Sequence, residues 1–320
     1  MNDRRVPDGA LLMTYGSPSS LEDVPRYLAA VRGGKPVDEE LVTEFTRRYR
    51  VIGGSPLVAI TTAQAAAVEA TLGDVAVRPA MRFSAPAIET ALAELAALGV
   101  RRVAAVVLSP QYSPLLMGGY ARAVEAALDM LGRDAPAVRI ADAWYDEPAF
   151  IDALAGRIRD GLERHPAAER SAVPVLLTAH SLPRRVAEQE PGYLAQLEET
   201  AHAVASAAGL AADRWRFCWQ SAGHEPGEWM TPDFADLMPA LAAEGHRAVL
   251  VAPVQFLADH LEILYDIDVG ARGQAEAAGI GFSRIASLNV DPRFIEALGR
   301  VIRRTLAAVS PAAAALGSGS

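Results

Sequence analysis

Hydrophobic positions in this chain fall into short unbroken runs, separated by longer stretches whose apolar residues recur at helical spacing. Ala10-Leu11-Leu12-Met13-Thr14-Tyr15, Arg102–Leu108, Val173–Thr178 and Ala248–Pro253 are apolar almost throughout, as strands covered on both faces must be. Val75–Met81, Ala137–Ala141 and Trp215–Trp219 read as further strands. Helices are predicted from about Leu21, over Glu39–Arg50, Pro56–Leu72, Pro86–Leu98 and Gly119–Leu131, and from Pro148 to about His165. Further on they are predicted over Tyr193–Ala208, Pro232–Ala243, Asp259–Ala278 and Pro292–Val309. Alternating strands and helices predict an α/β fold with parallel sheets flanked by helices. The plan restarts after the polar segment Ala167 to Ser171, so each half is expected to hold about four strands. The expected units are 1–145 and 146–320, with the break between residues 142 and 170 and the last helix packing back on the first unit. A cleft between two such sheets is the default ligand site.

Composition narrows the function. With 320 residues and 51% hydrophobic content the chain can bury a large core. A formal net charge of −9 argues against nucleic acid as partner, because phosphate binding needs a basic footprint. A single cysteine, Cys218, excludes an intrachain disulfide framework and a cysteine-ligated cluster. No apolar run reaches the length of a membrane span, and residues 1–8 lack the core of a signal peptide, so a cytoplasmic protein is expected. Gly317-Ser318-Gly319-Ser320 reads as a flexible tail.

Candidate chemistry gathers at strand ends. The Val173–Thr178 run delivers His180 to the turn Ser181-Leu182-Pro183, where open α/β sheets bind ligands. An isolated strand-end histidine is more often a satisfied core group; the proline-pinned turn favours a positioned base or ligand. Ala248–Pro253 leads to Asp259-His260-Leu261-Glu262, and on an α-helix Asp259, Glu262 and Asp266 share one face at spacings of three and four. Asp259 with Glu262 also resembles a capping box, which leaves Asp266 unexplained. His260 is two residues from Glu262 and reads as a neighbour. One imidazole with carboxylates suits a borderline divalent metal such as Fe²⁺, or a general base. Near the N-terminus, Gly53-Gly54 permits close backbone approach and Ser55-Pro56 is a helix start. Neither a dinucleotide fingerprint nor a phosphate-binding loop is present. Ser109-Pro110-Gln111-Tyr112-Ser113 and Trp219-Gln220-Ser221 place aromatics at matching strand ends, which suits a flat ligand.

Taken in order, these segments resemble the ferrochelatase family, most closely its Gram-positive coproporphyrin III branch. The resemblance is carried by Leu12 to Pro18, Arg48-Tyr49 through Ile52-Gly53-Gly54-Ser55-Pro56-Leu57, and Ser109 to Ser113. It continues through Thr178 to Pro183, Trp219-Gln220-Ser221, and Asp259 to Asp268, so it covers nearly the whole chain. It implies two Rossmann-like domains of the type II chelatase fold with a porphyrin between them. It implies that His180 and Glu262 bind Fe²⁺ and take up pyrrole protons, with Tyr15 reaching the metal from the opposite side. It implies porphyrin contacts from Tyr15, Arg32, Arg48, Tyr49, Ser55 and Tyr120, and an outer metal or proton path through Asp266 and Asp268. Coproporphyrin III and Fe²⁺ are then the substrates, no cofactor is permanently bound, and a downstream haem-pathway enzyme is a transient partner. Departures are visible: Arg82-Phe83 replaces a Lys-His pair, Gly270 stands where relatives carry another carboxylate, and the single Cys218 rules out an iron–sulfur cluster. Protoporphyrin IX as substrate, a cobalt or nickel chelatase, and a non-catalytic porphyrin or haem carrier are the competing readings.

Overall fold

The computed structural model describes residues 8–223 and 227–309; the expected tail Gly317–Ser320 and most of the N-terminal segment lie outside them. The first sheet is built from β1 (Asp8–Thr14), β2 (Val75–Met81), β3 (Arg102–Val107) and β4 (Ala137–Ile140), all parallel, in the order β2-β1-β3-β4. The second holds β5 (Val175–His180), β6 (Trp215–Gln220), β7 (Ala248–Pro253) and β8 (Gly281–Arg284) in the equivalent order β6-β5-β7-β8. The chain thus repeats one topology, and in each copy the strand order reverses beside the first strand. Ligands collect outside the carboxyl ends at such a reversal. β8 was not expected: four residues, two of them polar, at a sheet edge leave no apolar run to read.

The helices are α1 (Val24–Val31), α2 (Glu39–Val51), α3 (Leu57–Leu72), α4 (Ile88–Ala97), α5 (Pro114–Leu131) and α6 (Pro148–Glu163) on the N-terminal side. They continue with α7 (Arg184–Ala187), α8 (Pro191–Ala207), α9 (Phe234–Ala243), a π-helix (Glu262–Ala271), α10 (Arg272–Ala277) and α11 (Pro292–Ala307). α5 starts five residues before the expected Gly119. Gly119 lies inside it, and the Arg82 guanidinium occupies the space of a Cβ there, 1.9 Å from where that atom would sit.

One apolar cluster joins the sheets: Leu12 and Val106 of the first pack with Leu177 and Leu250 of the second through Phe150, Phe294, Leu298 and Val301. α11 lies against β3, α3 and α6. Trp144 fixes this arrangement, its ring stacking on Phe294 at 6.4 Å while its indole N–H donates to the Val107 carbonyl at 3.2 Å. Both sheets therefore open onto a common cleft at their carboxyl ends.

The predicted helix Asp259–Ala278 is the main local correction. Residues 262–271 form a π-helix, in which i to i+5 hydrogen bonds widen each turn. Ile263, Ile267 and Ala271 form its buried face, and Ala275 continues that face into α10. Asp259 does not cap this helix. Its carboxylate accepts from the Ser287 hydroxyl at 2.7 Å and the Asn289 amide at 2.9 Å, and no capping box forms.

Candidate active site

The cleft has a volume of about 510 Å³ and is walled by the carboxyl ends of β1, β3, β5 and β7, by α1 to α3, and by the π-helix. His180 ends β5. Its backbone N–H donates to Gln255 Oε1 at 2.7 Å, and Gln255 in turn donates to the buried Tyr193 hydroxyl, so the strand end is pinned from β7 and α8. His180 Nδ1 bonds the Ser181 carbonyl oxygen, which can only accept. That fixes the hydrogen on Nδ1 and leaves Nε2 facing the cleft. Nε2 stands 3.5 Å from Glu262 Oε2, and this oxygen is buried with no hydrogen-bond partner. Two atoms offering lone pairs at that separation call for a proton or a cation between them.

Asp266 follows Glu262 along the π-helix. Burial pushes its carboxyl above the usual range and the charge of Glu262 adds to this; the Ser221 hydroxyl, Arg48 and His180 oppose it. Arg48 reaches Asp266 at 3.4 Å and Glu44 at 2.8 Å, and lies over the Tyr265 ring at 5.2 Å. Its charge is therefore already shared between two carboxylates.

Tyr15 projects from the turn after β1, 44% exposed, with Phe83 at 5.0 Å and Tyr120 at 6.2 Å. Gly16 makes this turn possible: its φ is +87°, and a Cβ there would lie 2.2 Å from Ser84 Oγ. The Arg82 guanidinium lies within 5.7 Å of the Tyr15, Phe83 and Tyr120 ring centres, a cation–π stack on this wall. Tyr27, Tyr49 and Tyr120 are buried, which raises their phenols and keeps them neutral donors. Ser55 lines the cleft with its hydroxyl 3.4 Å from the Leu57 N–H.

Of the residues singled out from sequence, Tyr15, Arg48, Tyr49, Ser55, Tyr120, His180, Glu262 and Asp266 line one cavity. Two do not. Asp268 is turned away and held by Arg284 at 2.8 and 2.9 Å; two residues on from Asp266, it does not share the Glu262–Asp266 row. Arg32 is exposed at the C-cap of α1 and outside the cavity wall. Gly53 and Gly54 serve positive φ angles of 73° and 94°; nothing lies within 4 Å of either, so close approach is not their role. Trp219 belongs to the core against Phe217, not to the cleft. Ser221, in the strand-end group Trp219-Gln220-Ser221, is on the wall; sequence reading missed Thr61, Gln64, Gln255 and Phe256, which also line it. Thr61 and Gln64 carried a signal, since both are polar positions on the buried face of α3. Among the described residues no group of three or more histidine, cysteine or acidic side chains forms a closed metal cage.

Two sheets of one topology around a cleft, with an imidazole and carboxylates converging in it, define a chelatase-type protein. Solved structures of that fold agree. SirB from Bacillus subtilis with Fe3+ superposes with a TM-score of 0.58 at 11% identity, covering 94% of this chain and 96% of that one. CbiX, described as the terminal enzyme for biosynthesis of siroheme in denitrifying bacteria, gives 0.51 at 16% identity, covering 95% and 100%. The chain itself belongs to the ferrochelatase family, whose model matches residues 7–306. It is 40% identical over 312 residues to the ferrochelatase of Deinococcus radiodurans, covering 95% of this chain and 98% of that protein. It is 36% identical to the coproporphyrin III ferrochelatase of Geobacillus thermodenitrificans (93% and 96% covered) and 33% identical to that of Bacillus subtilis (93% and 97%). Among the described residues no helix is long and apolar enough to cross a membrane.

Proposed function

We propose that this protein inserts Fe²⁺ into coproporphyrin III, with His180 and Glu262 as the residues that act on the metal and on the pyrrole protons. The observation that carries the reading is the His180 Nε2–Glu262 Oε2 pair, 3.5 Å apart, whose oxygen has no other partner. At a metal–ligand distance of about 2.1 Å that span subtends roughly 110° at a bridging ion, an ordinary angle for two ligands of one metal. Insertion requires the ion to lose water and the macrocycle to lose two N–H protons. A neutral imidazole nitrogen and a carboxylate on one wall supply ligands for the ion and acceptors for the protons. Tyr15 and Tyr120 on the other wall offer aromatic faces to the ring, and the neutral Tyr49 phenol and the Ser55 hydroxyl suit its propionates. No resident cofactor enters this scheme; the iron is substrate and passes through. Similarity to proteins named coproporphyrin III ferrochelatases supports that porphyrin over protoporphyrin IX.

The test is anaerobic Fe²⁺ insertion followed by absorption spectroscopy with both porphyrins offered, on the wild type and on His180→Ala. Faster turnover of coproporphyrin III, lost in the variant, supports the assignment. Preference for protoporphyrin IX overturns the substrate. Tight porphyrin binding with no insertion by the wild type identifies a carrier instead.

A further inference from the structure

The backbone around His180 is held on both flanks, by partners of different kinds. In the parallel ladder between β5 and β7 the Val254 N–H donates to the Thr178 carbonyl at 3.0 Å, and the next regular rung would take the His180 N–H to the Val254 carbonyl. β7 ends at Pro253 and that rung is not made. The Gln255 side chain supplies it instead, its Oε1 accepting from the His180 N–H at 2.7 Å. A backbone N–H can only donate, so the amide is oriented with Nε2 toward the Tyr193 hydroxyl of α8, to which it donates. On the other flank the Ser181 N–H donates to the Gln220 carbonyl of β6 at 2.7 Å, and the Ser181 hydroxyl donates to the Met230 carbonyl at 3.0 Å. These anchors together set how the imidazole meets the Ser181 carbonyl.

That contact decides between two tautomers. The Ser181 carbonyl draws the ring hydrogen to Nδ1, while Glu262 Oε2, buried with no hydrogen-bond partner and 3.5 Å from Nε2, draws it to Nε2. With the hydrogen on Nδ1, Nε2 offers its lone pair to a cation. With the hydrogen on Nε2, the imidazole donates to Glu262 and neither group is left for a metal. We propose that Gln255 is a positioning residue that keeps His180 in the first tautomer, by fixing the peptide ahead of the imidazole so that Nδ1 stays on the Ser181 carbonyl. The proposal rests on the reading above that His180 Nε2 meets the metal. Without the amide the His180 N–H has no acceptor at the strand end, and the peptide turns to find one. The Nδ1 contact then loosens, and the Glu262 oxygen takes the hydrogen.

Nitrogen NMR of the full-length, metal-free protein carrying ¹⁵N-labelled histidine reads the tautomer directly, at mildly alkaline pH. His180→Ala identifies the His180 signals among the six histidines. Wild type is expected to carry the hydrogen on Nδ1. Gln255→Leu nearly keeps the volume and removes both hydrogen bonds, which predicts a change of about tenfold in the tautomer ratio toward Nε2–H. Gln255→Glu restores the rung, since one carboxylate oxygen accepts from the His180 N–H and the other from the Tyr193 hydroxyl, and the wild-type tautomer returns. Steady-state kcat/KM for Fe²⁺ falls in Gln255→Leu by the same factor as the Nδ1–H population, because the metal binds that form alone, and the porphyrin KM stays within about twofold. Hydrogen on Nε2 in the wild type overturns the proposal. So does an unchanged tautomer ratio in Gln255→Leu, or a loss in Gln255→Glu as large as in Gln255→Leu, which would assign Gln255 to cleft shape. Should Gln255→Leu not fold, Tyr193→Phe frees only the far end of the amide and shifts the ratio the same way by about twofold to fivefold; no shift there is equally fatal. Absence of Fe²⁺ insertion by the wild type defeats the function proposed above and leaves the tautomer measurement standing.

Discussion

Replacing Glu262 by glutamine isolates the chemistry of one oxygen while leaving shape almost untouched. Among the described residues Oε2 makes no hydrogen bond, and it stands 3.5 Å from His180 Nε2, so folding loses little when an amide takes its place. The catalytic loss should be large, because an amide neither accepts a pyrrole proton nor binds a divalent ion as a carboxylate does. A positioned general base contributes about 10²–10⁴ in rate, equivalent to roughly 3–5 kcal/mol of barrier. Loss of the metal–oxygen bond adds to this, so Glu262→Gln is expected to insert Fe²⁺ at least about a hundredfold more slowly than wild type. Porphyrin affinity, read by fluorescence titration, should change less than about threefold, because Tyr49 and Ser55, the residues proposed to meet the propionates, are unchanged. The assay is anaerobic, stopped at early times, with the melting temperature recorded alongside. Insertion within tenfold of wild type, by a variant that binds porphyrin normally, would remove Glu262 from both roles and leave the paired geometry without a function.

Gly16→Ala places a Cβ 2.2 Å from Ser84 Oγ at a φ of +87°; a cost of about 1–3 kcal/mol is expected, read as a lower urea midpoint. Hydrogen bonds from Arg47 and then Arg48 hold the Glu44 carboxyl down to about 2 against an ordinary 4.5. A carboxyl lowered by folding contributes stability above its unfolded value that is lost as pH falls toward the folded one, here between about 4.5 and about 2. Glu44→Gln should therefore lose less melting temperature than wild type between pH 6 and pH 3, as judged by calorimetry; equal losses would contradict the assignment. Asp266 has the opposite sign, since burial raises its carboxyl and its charge opposes folding at neutral pH. Asp266→Asn should melt higher than wild type at pH 7 while its metal KM rises, a trade of stability for function; a lower melting temperature would show that its partners outweigh its burial.

Much of this fold was legible because the two central strands of each sheet, β1, β3, β5 and β7, are buried almost throughout and so are written as apolar runs. β8, Gly281–Arg284, is a short edge strand whose pairing with β7 is a tertiary event that leaves no local pattern. His180 was legible for a related reason: a buried run stopped by a proline turn marks a strand end, and strand ends at a reversal of order carry ligands. Arg32 and Asp268 misled because the type of residue was right and the direction was not. Arg32 lies one turn too far along α1, and Asp268 finds Arg284 on a strand that the sequence did not reveal. Gln255 was invisible as chemistry, since its role depends on which strand lies beside β5.

The period of one helix decides what the acidic wall can do. Read with an α-helical turn, residues 259, 262 and 266 form one stripe. In the π-helix, 262, 266 and 270 each come one residue before a buried position, 263, 267 and 271. A residue preceding a buried one at every turn sits at the edge of the packed face, half-exposed and turned toward the cleft. Glu262 and Asp266 occupy that edge, and Gly270 continues it with no side chain. The acidic wall is therefore two carboxylates long in this protein, and the opposite wall carries the Arg82 charge among Tyr15, Phe83 and Tyr120. A divalent cation is attracted to the carboxylates of the first wall and repelled by Arg82 on the second, which favours entry from the π-helix side as the path to test. Extending the row with Gly270→Asp, where a Cβ meets nothing nearer than the Tyr265 carbonyl at 3.8 Å, should lower the metal KM and leave the porphyrin KM unchanged. An unchanged metal KM in that variant would mean that the ion does not travel along this edge.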